Sequence, residues 1–198
     1  MQRLLVLGAG TAGTMAANKL RRKLDADEWS ITVVDAAAEH YYQPGYLFIP
    51  FGTYEPTEVV KPKAQLLVDG VDLVMGEVDV VEPAESKVVL TDGRVLPYDQ
   101  LIIATGTHPR RDQTEGLDGD AYGDTVHDFY TLEGATRLAE VLDGWEGGRL
   151  VMNIVEMPIK CPVAPLEFMF LADAFFAERG LRDRVELTYV TPLDAAFT

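Results

Sequence analysis

Two stretches of this chain carry residue types whose spacing could do chemistry. The first is Gly8-Ala9-Gly10-Thr11-Ala12-Gly13, with glycines at the G-x-G-x-x-G spacing. The second is Lys160-Cys161-Pro162, which holds the only cysteine of the 198 residues. In the first stretch, the opening glycine allows a tight turn, the second lets backbone approach a pyrophosphate, and the third lets a helix pack closely on a strand. In the second, a cysteine near a helix start and beside a lysine is in the setting that populates the reactive thiolate. A lone cysteine is more commonly an inert buried residue. A strand-to-helix turn at the carboxyl end of a sheet weighs toward a chemical role instead.

The glycine motif needs a strand before it and a helix after it. Leu4 to Leu7 is an apolar run of the kind that forms a strand buried on both faces. Beyond the glycines, Ala12, Met15, Ala16, Leu20 and Leu24 fall on one helical face, with Arg21, Arg22 and Lys23 mostly off it. The start of that helix offers unpaired N–H groups and a positive dipole end to phosphates. A second strand, Ser30 to Val34, ends in Asp35. That lies at the interval of about 20 residues expected of an acid that binds a ribose 2′-hydroxyl. A glycine-rich turn with no ligand accounts less well for strand, turn, helix and acid together.

Tyr41 to Gly52 is too rich in aromatics, proline and glycine for a plain helix or strand. Its aromatics either pad the core or line a flat ring system near the end of the second strand. Glu55 to Lys63 reads as a connection. Val71 to Val81 reads as one strand. Ser86 to Leu90, the turn Thr91-Asp92-Gly93-Arg94 and the return at Val95 to Leu96 read as a hairpin. Gln100 to Ala104 is another apolar strand, closing in Ala104-Thr105-Gly106, where a glycine lets backbone pass close to a ligand. The acidic, glycine-containing stretch Thr107 to Asp128 reads as a crossing between subdomains. Thr131 to Leu142 is an amphipathic helix with Thr131 as N-cap and Gly144 as stop. Arg149 to Val155 reads as a buried strand, Pro165 to Arg179 as a helix and Glu186 to Val190 as a further strand. The expected fold is α/β: a Rossmann-like parallel sheet with an inserted antiparallel β-meander, followed by the start of a second β-α-β unit. The expected boundaries are a dinucleotide-binding domain over 1–110 and a partial second domain over 111–198.

The second unit lacks a glycine fingerprint. Its turn, Glu156 to Pro165, has three prolines and no glycine, so it cannot bring amides onto a pyrophosphate in the usual way. NAD(P)H is not expected to bind there by the usual mode. His40, His108 and His127 show no metal-ligand spacing, so no metal site is expected. A net charge of −15 argues against a nucleic-acid partner. The same charge fits either an acidic protein kept soluble by it or one adapted to high salt. No apolar run is long enough to span a bilayer, and the chain starts on a core strand rather than a signal peptide, so the cytosol is the expected compartment.

Gly8 to Gly13, Asp35, Tyr42-Gln-Pro-Gly-Tyr-Leu-Phe-Ile-Pro50, Leu101-Ile-Ile-Ala-Thr-Gly106 and Lys160-Cys-Pro-Val-Ala-Pro-Leu-Glu-Phe168 together resemble sulfide:quinone oxidoreductases. These are flavoproteins with two dinucleotide-binding domains. The resemblance runs the length of the chain, and its specific parts are Gln-Pro-Gly and Lys-Cys-Pro-x-Ala-Pro. It implies FAD in the first unit. Gly8, Ala9, Gly10, Thr11, Ala12 and Gly13 would hold its pyrophosphate, Asp35 its adenosine ribose, and Val78 its adenine through backbone. Ala104, Thr105 and Gly106 would lie against the dinucleotide, and Gln43 and Pro44 near the isoalloxazine. Cys161, beside Lys160, would be the redox cysteine. In the family it works with a second, later cysteine: sulfide opens the sulfur bridge between them, electrons pass to the flavin, and a membrane quinone is reduced. The resemblance is to the N-terminal half of such an enzyme. The second cysteine, a later Gly-Asp segment and the quinone- and membrane-contacting part are therefore expected outside these 198 residues, in a complementary polypeptide or a longer product. Sulfide and quinone are the implied substrates. The complete protein would be cytoplasmic or peripheral on the inner face of the cell membrane, with a homo-oligomer as one possible assembly. Two other readings stay open: a type II NADH:quinone dehydrogenase, and a non-catalytic FAD-binding module that needs a partner.

Overall fold

The N-terminal apolar run is the strand Gln2–Leu7 (β1) in the computed structural model, which describes residues 1–196. It is followed by the helix Thr11–Arg21 (α1) and the strand Trp29–Asp35 (β2). Short strands Glu39–Tyr41 (β3) and Val60–Pro62 (β4) pair antiparallel. Val71–Met75 (β5), Val78–Glu82 (β6), Lys87–Leu90 (β7), Val95–Pro97 (β8) and Gln100–Ile103 (β9) come next. The chain then forms the helix Leu132–Asp143 (α2), the strand Gly148–Asn153 (β10), the helix Ala164–Glu178 (α3) and the strand Val185–Val190 (β11). Contacts divide it into two units. One holds Met1–Tyr42 and Val60–Thr107; the other holds Gln43–Val59 and the chain from His108 onward.

In the first unit, four parallel strands run in the order β5-β2-β1-β9. The central pair is in register with Leu4 beside Ile31, and Leu4 is also beside Gln100 of β9. Side chains alternate across the sheet, so the continuous apolar run of β1 feeds two cores. Leu4 and Val6 join Ile31, Val33 and Ala17 on the face covered by α1. Leu5 and Leu7 join Val34, Val88, Leu90 and Tyr98 on the other face, covered by the antiparallel sheet β6-β7-β8. That sheet is the inserted meander.

Two readings from sequence change here. Val71 to Val81 is not one strand: β5 ends at Met75 in the parallel sheet, and β6 starts at Val78 in the meander. Gly76 lies in the break and its N–H donates to the Asp35 carbonyl at 2.9 Å. The inward face of α1 is also rotated. Gly13, Thr14 and Ala17 are buried, while Met15 is 66% exposed. The close approach of the helix at Gly13, rather than the largest apolar side chains, sets which face turns inward.

In the second unit, β10 and β11 pair parallel on either side of α3, giving a β-α-β unit. Thr131 caps α2, its Oγ1 accepting from the Gly134 N–H at 3.0 Å. Phe168, Ala172 and Phe176 form the buried stripe of α3. Phe168 stacks on Phe129 with centroids 4.9 Å apart and meets Phe51 at 4.9 Å. Phe51 closes a 3₁₀ segment, Gln43–Phe51, whose Tyr46, Leu47 and Ile49 are buried. The strand expected to be buried is only half so: in β10, Leu150 is buried but Val151 is 50% exposed. Among the described residues the sheet has two strands, with α3 packed against them.

Candidate functional site

The glycine turn sits where β1 meets α1. Gly8 donates its N–H to Val34 O at 2.7 Å and takes φ = +95°, a conformation suited to glycine. On its other side, Ala104 N–H donates to Leu7 O at 2.7 Å. A Cβ on Gly8 would overlap the Ala104 carbonyl, and a Cβ on Gly13 would overlap the Gly8 carbonyl. Both positions are closed by backbone. Gly10 differs: a Cβ there would meet nothing within 4 Å. It is the N-cap of α1, whose first intrahelical bond runs from Thr14 N–H to Gly10 O at 3.0 Å. The amides of Thr11, Ala12 and Gly13 precede that bond and face the helix entrance unsatisfied by the helix itself. No acidic residue occupies the first turn of α1. Open space at Gly10 beside these amides fits the pyrophosphate of a dinucleotide.

Asp35, at the end of β2, is drawn onto this turn. Its Oδ2 accepts the Ala9 N–H at 2.7 Å and its Oδ1 the Ala37 N–H at 2.9 Å. Lys63 Nζ lies 2.6 Å from Oδ1, and the Lys63 side chain is 6% exposed against 17% for Asp35. Burial opposes ionisation of Asp35, but Lys63 and the Ala37 and Ala9 amides outweigh it and hold the carboxyl below its ordinary value. Lys63 Nζ also donates to Ala37 O at 2.8 Å. Nothing local in the sequence marks Lys63, which lies in a stretch read as a connection. Only the β3-β4 pairing, with Glu39 opposite Pro62, carries it to Asp35. His40 Nδ1 stands 3.4 Å from Ala9 O.

Of the other proposed contacts in this unit, Ala104, Thr105 and Gly106 follow β9, with Thr105 and Gly106 exposed. Val78 opens β6 opposite Leu90, its side chain against the meander-side core.

The second unit carries Cys161, Lys160, Gln43 and Pro44. Cys161 is exposed and holds φ = +52°, a left-handed conformation uncommon outside glycine. It stands two residues before Val163, the N-cap of α3, so it lies outside the helix rather than at its first turn. Its carbonyl accepts the Ala164 N–H at 3.0 Å and the Tyr130 hydroxyl at 3.2 Å. Burial, then the proximity of Cys161 and Tyr189, pushes the Tyr130 phenol up. Lys160 Nζ donates to Gln43 Oε1 at 2.9 Å, across 117 residues of chain. Burial lowers the Lys160 ammonium below its ordinary value. Pro44 follows Gln43 and is exposed.

Tyr130, which sequence reasoning passed over, is positioned by Asp128. Asp128 Oδ1 accepts the Tyr130 and Thr131 amides at 2.8 Å each, and its Oδ2 accepts the Tyr122 hydroxyl at 2.6 Å. Burial, then that bond to Asp128, pushes the Tyr122 phenol up to about 12. Arg111 stacks 4.0 Å over the Tyr122 ring and donates to Asp128 Oδ2 at 3.3 Å. A carboxylate binding several amides and hydroxyls fixes the loop into α2.

Among the described residues no helix is long and apolar enough to cross a membrane. The family model described as pyridine nucleotide-disulphide oxidoreductase matches residues 2–144. The chain is 27% identical over 195 residues to the mitochondrial sulfide:quinone oxidoreductase of Mus musculus, covering 98% of this chain and 43% of that protein. It is 25% identical to the Dictyostelium discoideum mitochondrial sulfide:quinone oxidoreductase, covering 94% and 41%. Its fold superposes on the sulfide:quinone oxidoreductase of Aquifex aeolicus with a TM-score of 0.74 at 20% identity, over 96% of this chain and 43% of that one. The chain spans less than half the length of these relatives.

Proposed function

Because the chain belongs to the pyridine nucleotide-disulphide oxidoreductase family, we propose that it is part of an FAD-dependent enzyme that passes electrons from sulfide to a quinone. The observation that carries the cofactor is the turn at Gly8 to Gly13. Backbone closes off Gly8 and Gly13, Gly10 stands open, and Asp35 is bonded to the turn through the Ala9 amide. In this reading the amides of Thr11, Ala12 and Gly13 take the diphosphate and Asp35 takes a hydroxyl of the adenosine ribose. Val78, Ala104, Thr105 and Gly106 are the further proposed contacts of the dinucleotide, with Gln43 and Pro44 proposed for its ring system. Bound FAD would supply the two-electron carrier between donor and acceptor.

The proposed donor chemistry belongs to Cys161. Its exposed thiol, as thiolate, joins sulfur to sulfur with HS⁻, leaving a persulfide anion, one proton and two electrons; the quinone takes up those two electrons, that proton and a second proton from water to become quinol. The Lys160 ammonium, held by Gln43, sets a positive charge next to that residue in the chain, and such a charge attracts HS⁻. Tyr130 holds the backbone of the turn through the Cys161 carbonyl. Likeness to relatives named as sulfide:quinone oxidoreductases along nearly the whole chain supports sulfide as donor.

The test is the visible flavin absorbance of the FAD-loaded chain under anaerobic sulfide. Wild type is expected to bleach. Cys161→Ser is expected to hold FAD equally well and not to bleach. Bleaching of Cys161→Ser at the wild-type rate would refute the assignment of the cysteine, and a wild-type chain that takes up no FAD would refute the cofactor.

A further inference from the structure

The acid at the end of β2 does not stand free to grip a ribose with both oxygens. A carboxylate offers about four lone-pair sites. Oδ1 of Asp35 already accepts from Lys63 Nζ at 2.6 Å and from Ala37 N–H at 2.9 Å. Oδ2 accepts from Ala9 N–H at 2.7 Å. One site remains, on Oδ2. Lys63 is held in turn, with Nζ 2.8 Å from Ala37 O and its own N–H 2.8 Å from Ala38 O.

We propose that Lys63 is a positioning residue for the dinucleotide: by occupying Asp35 Oδ1 it fixes the carboxylate so that only Oδ2 is left to accept a single ribose hydroxyl. The inference rests on the FAD reading above. Two physical consequences follow from the pair. The carboxylate cannot rotate without breaking contacts to Lys63, Ala37 and Ala9 together, so its remaining lone pair is held in place before the ligand arrives. The ammonium also cancels the carboxylate charge, which would otherwise repel a diphosphate at the glycine turn to which Asp35 is bonded through Ala9. Without Lys63 the carboxylate would be held by the Ala37 and Ala9 amides alone and its charge would stand uncancelled. The lowered Asp35 value agrees with an acid that stays ionised as an acceptor.

The test uses ADP and 2′-deoxy-ADP, with FAD alongside, titrated calorimetrically into the 198-residue chain and its Lys63→Met variant. Wild type is expected to prefer ADP over 2′-deoxy-ADP by about tenfold, the scale of one hydrogen bond to a charged group. Lys63→Met is expected to weaken ADP and FAD by about tenfold and to bring the two nucleotides within about twofold of each other. A residue that only stabilised the fold would weaken both nucleotides alike and keep their ratio, and that result would overturn the proposal. Lys63→Ala carries the same test if Lys63→Met does not fold, because it too removes the donor to Oδ1 and places no apolar chain against the carboxylate; an unchanged ratio in it would overturn the proposal equally. If wild type binds FAD and ADP but the variant keeps the ratio, only this inference falls. If wild type binds neither, this inference and the FAD reading fall together.

Discussion

Exchanging Gly10 and Gly13 for alanine, one at a time, should separate ligand binding from folding. At Gly13 the new Cβ falls on the Gly8 carbonyl, with Val6 Cγ1 at 3.4 Å. That carbonyl cannot retreat easily, because Gly8 is tied to β2 through Val34 and the neighbouring Leu7 carbonyl to Ala104, each at 2.7 Å. The helix must move instead, disturbing Thr14 and Ala17 on its own buried face. Overpacking of this kind costs about 1–3 kcal/mol, and the better helix propensity of alanine returns up to about 1 kcal/mol. The net expectation is a loss of about 1–2 kcal/mol, or roughly 2–8 °C in Tm for a chain of this size. At Gly10 the Cβ meets nothing within 4 Å, and φ is −72°, open to any residue. Its stability cost is the amount by which glycine exceeds alanine as an N-cap, roughly 0.5–1 kcal/mol, below the loss expected at Gly13. A methyl group there would stand where the pyrophosphate approaches, so FAD affinity should fall at least about tenfold, the loss of one charge-assisted contact. Thermal unfolding without ligand gives the first quantity and FAD titration the second. The reasoning fails if Gly10→Ala costs as much stability as Gly13→Ala, or if Gly10→Ala binds FAD like wild type.

Thr131→Ala should cost about 1 kcal/mol in urea unfolding, because it removes the acceptor of the Gly134 amide and a donor to Asp128. An unchanged midpoint would mean that the cap contributes nothing. Asp99 provides the pH test. The Arg3 side chain and then its amide hold Asp99 down at about 2 against an ordinary 3.8. Between those values the unfolded chain takes up a proton that the folded chain does not, so this contribution is present above about pH 4 and is lost as pH falls toward 2. Asp99→Asn should flatten that part of the acid-unfolding profile, and an identical acid slope in the variant would refute it.

The parts of this protein legible in the amino-acid sequence are those whose cause is local. The demand for glycine at position 13 comes from the Gly8 carbonyl a few residues away, and the motif spacing marks Gly8 as well, although what closes it is the distant Ala104 carbonyl. The α2 helix shows both its start at Thr131 and its stop at Gly144. Asp35 is marked by its place at the end of an apolar strand. Even the second unit declares itself, because the period of Phe168, Ala172 and Phe176 lies within one helix.

Tertiary structure decided what depends on partners distant in the chain. It split Val71 to Val81 between two sheets, because β2 claims Val71–Met75 while β7 claims the strand starting at Val78. It turned Gly13 rather than Met15 to the core, since the helix approaches the Gly8 backbone too closely for a larger residue. It brought Lys160 to Gln43 and Tyr130 to the Cys161 carbonyl. It also set Lys63 on Asp35, closing one carboxylate oxygen and leaving the other with a single acceptor site. Hydrophobic period and turn chemistry report which element a residue joins. They carry no information on which buried charge will face another across a sheet edge, because that pairing is set by strand register and loop path through space.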